Sequence, residues 1–159
     1  MEGADPRAPE RKGQMRARFL RVLALGWVLA GPLPALAGDP PLAPADATAI
    51  REVIQNQIEA FRRDDGATAF GYASPMIQEK FGDPGNFMNM VRSGYPQVYR
   101  PKTVEFEELS VEEVGPVQNV LVVGPDGIPV LAIYLMQRQP DGSWRINGVY
   151  LTRIPDQSA

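Results

Sequence analysis

Asp64 and Asp65 stand side by side between two stretches of helical periodicity. Adjacent carboxylates can supply a general base when one is buried and its pKa rises. An Asp just ahead of a helical segment is equally a cap for that helix. Two neighbours on one loop offer too few convergent oxygens for a metal, and none is expected. A second candidate group is Tyr95-Pro96 with Tyr99-Arg100-Pro101, where two phenols and a guanidinium fall in the connection between a helical and a strand-rich half. A core does not need those residues in a loop, so they are candidates for contact with a ligand or partner. Tyr72, Tyr134 and Trp144, with other aromatic and Met side chains, can either pack a core or line an apolar cavity. Glu105, Glu107, Glu108, Glu112 and Glu113 make one segment acidic, which suits a basic partner or an edge strand charged against aggregation.

What the chain lacks excludes more. With no His and no Cys among 159 residues, there is no disulfide, no thiol nucleophile, no Ser-His-Asp triad and no ordinary zinc site. No cofactor motif is present, and no cofactor is expected. The length fits one domain, and 44% hydrophobic residues can fill a core.

The elements that must position these residues follow from periodicity. Ile50, Val53, Ile54, Gln57, Ile58 and Phe61 fall on one helical face, interrupted only by Gln57. The spacing predicts a long helix capped by Asp46 and ending near Arg62-Arg63, where cations suit the C-terminal dipole. Short helices are expected over 67–73, from Ser74-Pro75 to about Phe81, and from Asp83-Pro84 to Gly94, because Ser or Asp before Pro is a helix start. After Pro101 the pattern changes to β-branched and aromatic residues over 103–114, 117–124, 128–139 and 144–153. The connections Gly115-Pro116, Pro125-Asp126-Gly127 and Pro140-Asp141-Gly142-Ser143 are hairpin signals, so the strands form an antiparallel meander. Val104 and Phe106 share a parity that Leu109 and Val111 do not, which predicts a bulge near Glu107-Glu108. The expected fold class is α+β: a long N-terminal helix plus short helices packed on a curved four-stranded antiparallel sheet. The third strand is apolar on both faces (Val130, Ala132, Tyr134, Met136 against Leu131, Ile133, Leu135). An antiparallel strand usually leaves one face polar, so something must cover the second: another copy of the chain, a ligand, or the curved sheet itself.

The start of the chain reads as an address. Arg16, Arg18 and Arg21 precede the apolar run 22–30, a Gly-Pro break, and the small residues of Ala35-Leu36-Ala37. This is the order of parts in a secretory signal peptide over 15–37, with cleavage after Ala37 and a periplasmic or secreted product. An uncleaved anchor is the alternative. Residues 1–14 are charged and Pro-rich, and read as disordered or as an upstream start-site miscall ahead of Met15. Residues 38–45 read as a Pro-rich linker, and 46–155 as the single domain. Residues 38–159 hold 10 Lys+Arg and 16 Asp+Glu, a net charge of −6. Such an acidic segment without a basic stripe is a poor partner for nucleic acid or, once the leader is removed, for a membrane surface.

The long helix, short helices and meander ending in Asp141, Gly142, Trp144, Arg145 and Ile146 resemble the nuclear-transport-factor-2-like fold, the cystatin-like cone. The resemblance implies a sheet wrapped around the long helix with a pocket between them. Over residues 60–106 the chain is also similar to a bacterial group called domain of unknown function 4864. Ala60-Phe61, Asp64-Asp65, Ala69-Phe70, Ala73-Ser74-Pro75, Phe81-Gly82, Phe87, Met90-Val91, Tyr95 and Tyr99-Arg100-Pro101 carry that similarity. It implies a fold and no activity. Steroid isomerases of the cone fold use an Asp base with Tyr and protonated Asp donors, but no motif aligns Asp65, Tyr72 and Tyr134 with those roles. The functional expectation is therefore a non-enzymatic domain that binds a small apolar ligand or a protein partner and forms a homodimer. The alternatives are a cofactor-free isomerase or dehydratase-like enzyme using a carboxylate and Tyr, and a structural dimeric module. The candidate contacts are Asp65, Tyr72, Tyr95, Tyr99, Arg100, Tyr134 and Trp144.

Overall fold

Among the described residues, four of the five helices begin on a proline at the first helical position, where a missing N–H costs nothing and the fixed φ suits the helix. The computed structural model describes residues 42–154, so the expected leader, the segment 1–14 and residues 38–41 of the expected 38–45 linker lie outside the described residues. The long helix α1 spans Pro44–Arg62, followed by α2 (Gly66–Gly71), α3 (Pro75–Phe81), α4 (Pro84–Gly94) and α5 (Pro96–Tyr99). Strands β1 (Thr103–Glu112), β2 (Gly115–Val123), β3 (Pro129–Arg138) and β4 (Trp144–Arg153) form one antiparallel sheet in the order β1-β2-β3-β4. The class is α+β, as the periodicity predicts.

The caps explain where the helices stop and start. Asp65, Ser74 and Asp83 accept backbone N–H bonds from Thr68, Ile77 and Asn86, closing the first turns of α2, α3 and α4. Asp46 does not cap α1. The helix starts two residues earlier, from an extended Ala43 into Pro44, and Asp46 sits in its first turn. There it accepts a hydrogen bond from Trp144 Nε1 at 3.1 Å and lies 3.6 Å from Arg138, so it ties the helix start to β3 and β4. Gly94 is the last residue of α4, and Tyr95 is both its C-cap and the N-cap of α5. The connection expected to be a loop therefore contains the short helix α5.

In the sheet, the register slips between Phe106 and Leu109, at the bulge expected from the parity change. Gln118 faces that bulge, and its Nε2 donates to the carbonyls of Glu107, Glu108 and Asn119. A second slip lies between Leu135 and Met136, where the core-facing parity of β4 passes from Trp144 and Ile146 to Val149 and Leu151. There Gly148 and Ile146 are the partners, leaving Asn147 as the extra residue. Bulges bend the strand that carries them. Asn147 is held by Ser74, whose Oγ donates to Asn147 Oδ1 at 2.8 Å. Backbone bonds from Ile146 N to Tyr72 O and from Ser74 N to Ile146 O pin the α2–α3 junction against the start of β4.

The core joins the buried stripe of α1 (Ile50, Ile54, Ile58, Phe61) to the inner face of the sheet (Val120, Val122, Val130, Ala132, Tyr134, Met136, Ile146). Of the two apolar faces of β3, the one bearing Tyr134 is buried. Leu131, Ile133 and Leu135, on the other, are half-buried. The acidic residues of β1 are exposed along an edge of the sheet, which fits their reading as charges that discourage edge-to-edge pairing.

Candidate functional site

A cavity of about 430 Å³ opens between the helical layer and β4. That volume lies within the range of small-molecule sites. Its floor is buried: Phe61 and Gln57 from α1, Phe87 and Val91 from α4, Val98 from α5 and Ile146 from β4. Its rim is exposed at Met76 and Lys80 of α3 on one side and is bounded by Gly148 and Val149 of β4 on the other. Packing around the floor is aromatic, with the Phe87 ring centroid 6.1 Å from Phe61, 5.3 Å from Phe70 and 5.8 Å from Phe81.

The walls are mostly apolar, and the neutral polar side chains Gln57, Tyr95 and Asn147 have partners within the fold. Gln57, 2% exposed, donates from Nε2 to Ala69 O at 3.1 Å. Tyr95 donates from its hydroxyl to Val149 O at 3.2 Å. Asn147 accepts from Ser74. Lys80 supplies the one charged side chain on the wall among the described residues, and its Nζ lies 5.6 Å from the Phe81 ring centroid.

The sequence-derived candidates separate into three groups. Tyr95 lines the cavity. Tyr99 and Arg100 meet Asp64 instead: the Tyr99 hydroxyl donates to the Asp64 carboxylate, Arg100 reaches it at 2.5 Å, and Arg92 of α4 joins at 3.1 Å. Both guanidiniums also stack on the Tyr99 ring, at 5.5 Å for Arg92 and 5.2 Å for Arg100. Asp64 holds a positive φ of 56°, a conformation that Asp tolerates better than most residues. This half-exposed cluster clamps α4 and α5 to the end of α1.

The remaining candidates do not reach the cavity. Asp65 is spent as the cap of α2, and hydrogen bonds from Thr68 hold its carboxyl below the ordinary range. A general base at neutral pH needs the opposite shift. Tyr72 and Trp144 pack with the core, Trp144 bonded to Asp46. Tyr134 lies inside the core at 0% exposure, and burial pushes its hydroxyl well above the usual phenol range. Its hydroxyl and Gln118 Oε1, on cross-strand partners, have no hydrogen-bond partner among the described residues. The groups that sequence reasoning left out are Lys80 and Asn147, which carry no local signature. Gln57 did leave one: it is the polar interruption of an otherwise apolar helical face.

Helices laid on one face of an open antiparallel sheet, with an apolar cavity between the layers, define an α+β domain. The model of the family described as domain of unknown function DUF4864 matches residues 43–159, and the chain belongs to that family. No curated protein and no solved structure matches it.

Proposed function

We propose that this chain is an exported, non-enzymatic domain of the nuclear-transport-factor-2-like cone type that holds a small apolar ligand between its helices and β4. The observation that carries the reading is the cavity itself: buried apolar walls, an open rim, and the polar side chains of Gln57 and Tyr95 bonded within the fold. An enzyme built on a carboxylate and Tyr is disfavoured, because no carboxylate lines that wall and Asp65, Tyr72 and Tyr134 lie outside it. The Arg-rich start, apolar run and Ala35-Leu36-Ala37 support export, with a mature chain starting at Gly38. Native mass spectrometry of protein recovered from the cell envelope or medium tests both points. The expected result is a mass for residues 38–159 with a retained small molecule. A chain still carrying residues 22–30 overturns the export reading. A ligand-free mass that stays ligand-free when apolar compounds are added overturns the binding reading.

A second reading concerns assembly, and a separate observation supports it. Leu131, Ile133 and Leu135 share the outer sheet face with Leu121 and the exposed Tyr150. Large apolar patches are unusual on soluble monomers, and a two-fold pairing of this face with itself would cover the patch. The proposed unit is a homodimer.

A further inference from the structure

Resting on the cavity reading above, we infer that the ligand is an anionic amphiphile: an apolar body in the cavity and a carboxylate or similar anion at the rim on Lys80. Residues 38–159 carry 16 acidic and 10 basic side chains, yet the charge on the cavity wall is a single cation, and no carboxylate is among the residues that line it. Gln57, Tyr95 and Asn147 already bond within the fold. Lys80 does not: among the described residues no carboxylate lies within 4.0 Å of its ammonium. Its position completes the match. The side chain follows Met76 and Ile77 along α3, one turn on, so a molecule with its tail on the buried floor presents its head to Nζ. A cation would meet Lys80 with the wrong sign, and a neutral alcohol would leave the ammonium unused.

The test is calorimetric titration of the purified protein with decanoate, decanol and decyltrimethylammonium, each below its micellar concentration. Decanoate is expected to bind about fivefold more tightly than decanol, the size of effect a partly exposed ion pair provides, and decyltrimethylammonium more weakly than both. Lys80→Met, at an exposed position, keeps the fold. It should bring decanoate down to the decanol level while decanol binding stays the same. Equal affinities for decanoate and decanol, or an unchanged decanoate preference in Lys80→Met, would overturn the anionic assignment and leave the cavity reading standing. Failure of all three probes to bind folded protein would overturn both. Met76→Trp, at the exposed rim, is expected to weaken decanoate and decanol alike. If it weakens neither, they bind elsewhere and the assignment falls.

Discussion

The Tyr134 hydroxyl is buried without a partner among the described residues, which makes its stability effect predictable in sign. Removing an unsatisfied buried polar atom while keeping the ring costs nothing and can help. Tyr134→Phe is therefore expected to leave the urea midpoint unchanged or to raise it, by up to about 1 kcal/mol; a clear loss would mean the hydroxyl is bonded in solution. The raised pKa sets a pH dependence too. Above pH 10 the unfolded chain releases the phenol proton while the folded chain keeps it, so stability must fall as pH rises further. Tyr134→Phe should flatten that alkaline decline. The Asp64 clamp is a residue-scale case of the opposite kind. The side chains of its ion pairs are 42–52% exposed, so Asp64→Asn, which tolerates the same positive φ, should cost no more than about 1 kcal/mol by thermal melting. A loss above about 2 kcal/mol would show that the clamp organises more than its exposure implies.

Among the elements, α1 is the one the rest is built around. Phe61 sits near its C-terminal end, 2% exposed, against Phe87 and Tyr99 and on the cavity floor. Phe61→Ala is expected to destabilise by about 3–5 kcal/mol, as large-to-small core changes do. Chemical denaturation measures this, and a loss below about 1 kcal/mol would contradict the packing of α1 on the sheet. The two bulges shape the sheet at its helical face, and they differ in how legible they were. The β1 bulge showed itself as a change of parity between Phe106 and Leu109. The β4 bulge at Asn147 left a weaker trace: Trp144 and Ile146 share one parity and Val149 and Leu151 the other, but Tyr150 keeps the first parity apolar as well. It is fixed by Ser74, 73 residues away in sequence.

For the whole molecule, the test falls on the outer sheet face. Ile133 lies opposite Asn119 and Tyr150, near the middle of that face. In the proposed homodimer, Ile133→Lys should yield a folded monomer, since charge is depleted in interface cores. Sedimentation at micromolar concentration distinguishes the two states. A wild-type mass equal to one chain would remove the dimer and leave the outer face open for another partner.

Local patterns sufficed wherever a residue's role depends on its near neighbours. The stripe of α1, the Ser74 and Asp83 caps before proline, and the glycines of the β2–β3 and β3–β4 turns, Gly127 and Gly142 at positive φ, are all short-range effects. They determined the α+β class and the meander from sequence alone. Which of two equally apolar faces of β3 is buried was beyond them, because period-2 alternation carries no sign when both faces are apolar. Nor could they separate Tyr95, which reaches the cavity, from Tyr134, which is enclosed, or assign Tyr99 and Arg100 to Asp64, some 35 residues distant. The cavity is a space between α1, α3, α4 and β4, elements that chain order keeps apart. Its volume, and the single cation at its rim, exist only once tertiary packing has brought those surfaces together.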